Sequence, residues 1–243
     1  MHRCAVMLFL MLIAMQLFSY DFPAPGGIVS ASFGSEKEGQ FNTGIDIKTD
    51  SVYASEDGEL LYLGQDMVAI IHASSIVTLY SKVSPLPELS KDFHIKRGQR
   101  LGSATGGVLH FSIYDLEMER YIHPLLMTER VKPSELPKVQ ALSYDAGEGL
   151  FSVQLESKGF SGLFRLEISV DGQVVQTLGF RSISRKNEAL VLDNGGSTAD
   201  VLYCRQGAFS FKGLQLKGGV NEVDVIITDF YGKKVVFHGR ITV

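Results

Sequence analysis

Two stretches carry most of the information in this chain of 243 residues: Phe41-Asn42-Thr43-Gly44-Ile45-Asp46 and the later Leu109-His110-Phe111. Each places a metal-binding residue type, aspartate or histidine, among the apolar residues of a predicted β-strand. Asn42 lies four residues before Asp46 and offers only a neutral, weakly basic amide. Metals such as zinc favour imidazole, thiolate and carboxylate ligands, so an amide such as that of Asn42 is a poor ligand.

The first half of the chain alternates apolar and polar residues in short runs, the pattern of β-strands with one buried face. The runs cover residues 45–48, 58–64, 68–72, 76–82 and 108–114. Gly and Asp-Gly turn signals separate them, and no strong helical run appears outside the N-terminal segment. We therefore predict a mainly β, antiparallel domain over residues 21–130.

A second β domain is predicted over residues 139–243, after a linker at 131–138 that contains two prolines. Five alternating runs recur there, over residues 150–156, 163–170, 173–180, 223–229 and 234–243, with Asp171-Gly172 as a hairpin turn between two of them. Short strands without a long helix favour a two-sheet β-sandwich. The closing residues 219–232 resemble the last hairpin of bacterial immunoglobulin-like domains, which implies a spacer or binding module.

A family resemblance covers residues 25–126 of the first domain. Its elements are Gly27-Ile28-Val29-Ser30-Ala31-Ser32-Phe33-Gly34, the 42–46 stretch, residues 95–102, and Thr105-Gly106-Gly107-Val108-Leu109-His110-Phe111. In this order and spacing they resemble the LytM/lysostaphin family of zinc peptidases. The resemblance implies a LytM-like antiparallel β-sheet domain.

The family's functional positions are altered in this chain. The resemblance places the three zinc ligands at Asn42, Asp46 and His110, so two good ligands are kept. Its two further catalytic histidines fall at Lys82 and Val108, and valine can neither accept a proton nor donate a hydrogen bond. We therefore expect no catalytic residues and no cofactor, with zinc only if the altered site still functions. The resemblance assigns Tyr80 and Phe111 to the binding groove.

Simpler structural roles compete with these assignments. Asp46 could cap a turn, His110 could be a hydrogen-bonded core histidine, and Lys82 could be a surface lysine. His72 is expected to be structural, and His123 to be solvated. His94 is expected to be solvated too, although it could supply a missing ligand from a loop.

The N-terminal segment predicts export, because a basic start is followed by an apolar run over residues 4–18. Residues 1–20 are thus a signal peptide or an N-terminal anchor, and contact with the membrane is expected only if the segment is uncleaved. The expected location is the periplasm or cell envelope. Cys204 is then the mature chain's single thiol, so no internal disulfide is expected.

The charge pattern excludes one class of partner. The formal net charge is −4, and no dense Lys/Arg cluster interleaved with aromatic residues appears, so no nucleic-acid partner is expected.

The function predicted from these features is that of an exported, catalytically inactive LytM-like cell-wall protein. It would bind peptidoglycan or regulate a cell-wall hydrolase. The alternative is a zinc metalloendopeptidase that cleaves the peptide cross-links of peptidoglycan with an altered metal site. A third hypothesis is a structural envelope protein.

Overall fold

A computed structural model describes residues 20–91, 93–128, 136–156, 163–192, 197–203, 208–230 and 232–243. The N-terminal segment before Tyr20, Cys204 and most of the predicted linker lie outside these residues. The chain is mainly β with antiparallel sheets, which confirms the predicted fold class. Over the residues described, no helix has the length and apolar character needed to cross a membrane.

The first domain is built from thirteen described strands with a few 3₁₀ turns between them. The strands are β1 (Ile28–Ala31), β2 (Glu36–Lys37), β3 (Gln40–Phe41), β4 (Ile45–Lys48), β5 (Ser51–Tyr53), β6 (Gly58–Leu63), β7 (Met67–Ile71), β8 (Ile76–Ser81), β9 (Val83–Pro85), β10 (His94–Ile95), β11 (Arg100–Ala104), β12 (Val108–Asp115) and β13 (Arg120–Ile122).

The main sheet of this domain runs β10-β6-β7-β8-β12-β13, and every neighbouring pair is antiparallel. Strand β12 is central in this sheet. It pairs with β8 along one edge, and with β4 and then β13 along the other. Two smaller sheets complete the domain, β5-β11-β9 and the hairpin β2-β3.

The junction between β4 and β12 depends on a glycine. A Cβ at Gly44 would overlap the carbonyl oxygen of Phe111 and the hydroxyl of Ser112. Because only hydrogen fits there, β4 can begin directly against β12. Beyond Gly44 the two strands pair in register, with His110 opposite Asp46.

Burial alternates along these strands as the sequence pattern requires. Ile45 and Ile47 are fully buried, whereas Asp46 between them lies on the opposite face of β4. The fully buried Leu109 and Phe111 alternate with His110 in the same way on β12. The polar side chains of the site therefore share one face of the sheet, and the apolar core stabilises the other.

The second domain contributes nine further described strands and one short helix. They are β14 (Val139–Asp145), β15 (Leu150–Leu155), β16 (Leu163–Val170), β17 (Gln173–Gly179), β18 (Ser182–Lys186), β19 (Ala189–Leu192), α1 (Ala199–Leu202), β20 (Ala208–Lys212), β21 (Val220–Asp229) and β22 (Lys234–Thr242).

Seven of these strands form a β-sandwich of two antiparallel sheets, β14-β15-β20 and β17-β16-β21-β22. The predicted hairpin at Asp171-Gly172 joins β16 to β17, and both turn residues have positive φ, as a two-residue hairpin turn requires. Buried residues of both sheets, such as Phe151 and Val225, belong to one apolar core.

One hairpin of the second domain joins the sheet of the first. Strand β18 pairs with β13, and β19 pairs with β18, so the main sheet continues to β19. The boundary at 131–138 remains a prediction, but residues 182–192 extend the first domain's sheet across it. The two domains are thus connected by backbone hydrogen bonds as well as by the chain.

Candidate functional site

Asp46 and His110 meet because β4 and β12 pair at their positions. His110 Nδ1 lies 2.6 Å from Asp46 Oδ1, a charge-assisted hydrogen-bonding distance. Their side chains are 13% and 16% exposed, so the pair is largely shielded from water. Asp46 and His110, the two good ligands among the three positions that the resemblance assigns to zinc, are therefore hydrogen-bonded to each other.

The second oxygen of Asp46 faces a cation from the β2-β3 hairpin. Lys37 Nζ lies 3.4 Å from Asp46 Oδ2. The turn of this hairpin, Glu38 and Gly39, has positive φ at both residues, and the Gly39 amide donates to the Glu36 carboxylate at 2.8 Å. This tight turn places Lys37 over the carboxylate.

The pKa of Asp46 reflects these neighbours. Burial acts to raise this pKa, but the hydrogen bond from His110 and the charges of His110, Lys37 and Lys82 outweigh it, so the pKa is lowered. Asp46 is therefore ionised at neutral pH, and its charge is balanced by cations of the chain itself.

The second ring nitrogen of His110 also has a partner. Ser112 Oγ lies 3.1 Å from His110 Nε2, on the same face of β12. When Nδ1–H donates to Asp46, the Nε2 lone pair accepts from the Ser112 hydroxyl. Both imidazole nitrogens are therefore engaged within the chain.

Asn42 is turned into the protein. The residue is only 2% exposed, and its Nδ2 donates to the Ser32 carbonyl at 3.0 Å. Its backbone N–H donates to Ser35 O and its carbonyl accepts from Gly34 N, both at 2.8 Å. The side chain thus anchors the loop of residues 32–35, while its Oδ1 is buried without a hydrogen-bond partner among the described residues.

Lys82 and Val108 lie where the resemblance places the two catalytic histidines. Lys82 is exposed with φ of 60°, and it contributes a favourable charge to Asp46. Val108 is half-buried opposite Lys48, two residues before His110 and on the same face of β12. Its side chain has no polar atom, so it cannot move a proton.

These residues do not fit a zinc site. The donor oxygens of Asp46 are held by His110 and Lys37, and an ammonium beside the carboxylate would repel a metal cation. Asn42 supplies an amide that already bonds to Ser32. Within the described part of the chain, no three His, Cys, Asp or Glu residues are grouped so that they could hold a metal.

A surface pocket of about 270 Å³ lies beside the ion pair. The hairpin, the residues after it and the imidazole form its lining: Lys37, Glu38, Gln40, Phe41, Asn42, Thr43 and His110. The lining offers hydrogen-bond donors and acceptors with charges of both signs. We call this pocket the groove.

Two residues assigned to the groove by the resemblance belong instead to the core. Tyr80 and Phe111 are 0% exposed, and their ring centroids lie 5.2 Å apart. The Tyr80 hydroxyl accepts a hydrogen bond from the Ser55 backbone at 2.8 Å. Their side chains therefore support the sheet from its buried face, and that groove assignment is wrong.

The other histidines divide into buried and exposed positions. His72 is structural, as expected: it is buried and bonds to Asp57 O and Thr78 Oγ1. His94 is exposed on β10, and three strands separate β10 from β12, so it does not complete the site. The expectation that His123 is solvated is wrong, because this residue is 0% exposed.

Three contacts at this site were not predicted from the sequence: those made by Lys37, Ser112 and the backbone of Ser32. The Glu38-Gly39 turn could have indicated the hairpin. Nothing in the sequence could indicate that the hairpin folds toward Asp46, because that depends on tertiary packing.

Several solved structures are similar to part of this chain. A family model matches residues 134–243, and its description names no function. No curated protein matches the chain significantly. The SpoIIQ-SpoIIIAH pore-forming complex contains a similar chain. The two chains are 18% identical, the match covers 46% of this chain and 92% of the other, and the TM-score is 0.39.

Two peptidase structures are also similar. A zinc-containing peptidase from Vibrio cholerae is 22% identical over 39% of this chain and 36% of its own, with a TM-score of 0.34. The catalytic domain of the prophage-encoded M23 protein EnpA from Enterococcus faecalis is 20% identical over 41% of this chain and 88% of its own, also with a TM-score of 0.34. At these identities and TM-scores, neither structure assigns an activity to this chain.

Proposed function

We propose that this chain is an exported, non-catalytic LytM-like protein of the periplasm or cell envelope, which binds peptidoglycan through the groove. If the groove binds a protein instead, we propose that this protein is a cell-wall hydrolase, which the chain regulates. The single observation that carries the proposal is the position of Lys37 and His110 on the two oxygens of Asp46.

The ion-paired carboxylate supports loss of catalysis. In a zinc hydrolase, the metal supplies the positive charge that polarises the substrate and lowers the pKa of a bound water. Here a lysine ammonium and an imidazole hold the carboxylate without leaving it free for a metal. The Lys37 ammonium balances the charge of Asp46, but unlike a metal ion it cannot bind and activate a water molecule. The hydrolytic chemistry is therefore lost.

The lack of an acid or base supports the same conclusion. Val108 has no polar atom, and Lys82 is an exposed lysine that interacts with Asp46 through charge alone. Each missing proton-transfer group typically costs about a hundredfold or more in rate. With metal ligation and proton transfer both impaired, the expected hydrolysis is negligible.

The groove supports binding without cleavage. Gln40 and Thr43 offer neutral hydrogen-bonding groups, while Lys37 and Glu38 add one charge of each sign. Peptides of the cell wall carry amide groups, carboxylates and amines, which match such a lining. The acidic net charge disfavours nucleic acid, so none is proposed as a partner.

The rival function is a zinc endopeptidase with an altered site, and one observation favours it. Asp46 and His110 remain adjacent on paired strands, where two ligands of a metal could sit. This function requires Lys37 to leave Asp46 and Asn42 to give up its bond to Ser32. Both changes remove contacts, so we rank it second.

Binding to isolated peptidoglycan sacculi tests the proposal. The full chain should pellet with sacculi and release no soluble fragments from them. Thr43→Trp, which fills the groove, should reduce pelleting at least fivefold, whereas Gln173→Trp on the exposed edge of β17 should not. If the wild type stays in solution but stimulates a purified cell-wall hydrolase, the partner is a protein; release of peptide fragments by the wild type would favour the peptidase instead.

A further inference from the structure

Tyr203 of the second domain contacts Phe41 in the wall of the groove and the loop before the β2-β3 hairpin. The Tyr203 hydroxyl donates to the Gly34 carbonyl at 2.7 Å, across a separation of 169 residues. Its ring packs on Phe209 within its own domain, at 5.3 Å, and reaches Phe41 of the first domain at 6.1 Å. Tyr203 therefore links the core of the sandwich to the loop that precedes the β2-β3 hairpin.

The loop at Gly34 fits the second domain so closely that a side chain has no room. Gly34 has φ of 74°, and a Cβ there would lie 2.6 Å from Phe180 Cδ1. Both the backbone conformation and the close approach require glycine. The position of this loop is thus set from the second domain by Phe180 and Tyr203 together.

From Gly34 the contacts continue to Asn42. Gly34 N donates to Asn42 O, and Asn42 N donates to Ser35 O, both at 2.8 Å. The Asn42 side chain closes the loop by donating to Ser32 O. Since residues 36–41 form the hairpin between these bonded ends, the loop fixes where the hairpin leaves and rejoins the domain.

The hairpin in turn carries four of the residues that line the groove. Lys37 reaches Asp46 from β2, and Phe41 is buried at the end of β3, next to Asn42. A shift of the loop would therefore move Lys37 relative to Asp46 and change the shape of the groove. The relevant contacts run from Tyr203 through Gly34 and Asn42 to the hairpin.

We propose that Tyr203 is a positioning residue through which the second domain sets the geometry of the groove. This inference deepens the proposed binding function and rests on it for its biological meaning. The second domain is then a part of the binding site, and more than a spacer. A ligand in the groove and the contact between the domains should stabilise each other, as thermodynamic linkage requires.

Amide hydrogen exchange in the full chain tests the structural part of this inference without any ligand. Tyr203→Phe keeps the ring and removes the hydroxyl. The amides of Gly34 and Asn42 should exchange about tenfold faster, the scale expected for one lost hydrogen bond, while those of β16 and β21 are unchanged. Tyr144→Phe, at a partly buried tyrosine of the same domain, is the matched control and should change neither set.

A spectroscopic signal separates positioning from general stability. The side-chain amide resonances of Asn42, which report its bond to Ser32, should shift in Tyr203→Phe and not in Tyr144→Phe. Unchanged exchange and unchanged Asn42 resonances would overturn the inference. Faster exchange spread evenly over both domains would also overturn it, and Phe180→Leu provides a second variant if Tyr203→Phe does not fold.

Sacculus binding distinguishes failure of this inference from failure of the proposed function. Tyr203→Phe should pellet with sacculi about threefold less than wild type and Tyr144→Phe. If no protein pellets but the exchange result holds, the binding function fails and the coupling between the domains stands. If wild type and Tyr203→Phe pellet equally, the binding function stands and the role of Tyr203 is refuted.

Discussion

His110 lies directly opposite Asp46 on paired strands, and its Nδ1 is 2.6 Å from the carboxylate Oδ1. An exposed pair with the same geometry, His238 and Asp224, joins β22 to β21 on the surface of the second domain, also at 2.6 Å. The two pairs differ in shielding, and in the presence of Lys37 beside only the first. The exposed pair is therefore an internal control for how much the buried pair contributes to the free energy of unfolding.

Replacing Asp46 should destabilise the protein more than replacing Asp224. Asp46→Asn leaves Lys37 and His110 without their carboxylate in a shielded site, and we expect a loss of about 1–3 kcal/mol in the free energy of unfolding. Asp224→Asn should stay within about 0.5 kcal/mol of wild type, because solvent screens that pair. Urea denaturation at pH 7 measures both; equal losses would contradict the idea that the buried pair is structurally important.

Acid should destabilise the protein through His123, whose pKa burial lowers from 6.5 to about 3. Its Nδ1 accepts from Leu125 N, its Nε2 is buried without a partner among the described residues, and Phe230 and Phe33 pack around its ring. Between those pH values the unfolded chain binds a proton that the folded chain does not. Stability should therefore fall with pH from about 6.5 toward 3, by up to about 1.4 kcal/mol per pH unit.

His123→Phe should reduce the slope of stability against pH between pH 6.5 and 4.5, because His123 has the larger shift of the two buried histidines. Asp46, with its lowered pKa, loses its stabilising charge only at lower pH, below the unfolded value of about 3.9. The upper window therefore excludes this carboxylate, and the slope that remains in His123→Phe is expected from His72, whose pKa burial also lowers. His94→Phe, at an exposed position, is the control and should keep the wild-type slope. Identical slopes in all three proteins would show that His123 is not the group that titrates.

Much of the fold could be predicted from the sequence, because long strands with one buried face have a clear pattern. Strands β4 and β16 match their predicted bounds, and the Asp171-Gly172 hairpin is confirmed. Strands of two or three residues, such as β2 and β10, carry too few positions to show a period.

The site was less predictable, because its contacts come from tertiary packing. The resemblance assigns Asp46 and His110 to one site, and the two residues lie opposite each other on paired strands. The contact of Lys37 with Asp46 depends instead on how the short β2-β3 hairpin packs. Tyr80 and Phe111 lie on the core side, since the period of a strand fixes which face a residue takes, and Phe111 is adjacent to His110. His123 escaped prediction because part of its burial comes from Phe230 of the second domain, more than 100 residues away in sequence.

Gly44→Ala should strongly destabilise the first domain. The added methyl group would overlap Phe111 O and Ser112 Oγ, so β4 must move away from β12. We expect a loss of at least about 2 kcal/mol in the free energy of unfolding, with weaker pairing of Asp46 and His110. Gly147→Ala is the control: it lies in a turn without positive φ, where the nearest contact is Asp145 Oδ1 at 3.4 Å, and it should be nearly neutral. Similar losses would contradict the close approach of β4 to β12.

Restoring histidines at the altered positions should recover zinc binding before activity. The triple change Asn42→His, Lys82→His and Val108→His rebuilds the family pattern, but Lys37 still occupies one oxygen of Asp46. Adding Lys37→Ala should therefore increase zinc affinity at least tenfold over the triple variant, as measured by competition with a chelating dye. Groups that orient the ligands need not be restored, so hydrolysis should stay low. Full activity from Asn42→His alone would contradict this account.

The zinc content of the wild-type chain tests the central claim most directly. The full chain is purified without chelator, equilibrated with excess zinc, freed of unbound metal and analysed by elemental mass spectrometry, beside Asp46→Ala. The hydrogen bond of Asp46 with His110 and its ion pair with Lys37 predict well under 0.1 zinc per chain in both proteins, roughly the level of nonspecific binding, because both carboxylate oxygens are already engaged. About one zinc per wild-type chain, lost in Asp46→Ala, would contradict the claim and make the peptidase the leading function.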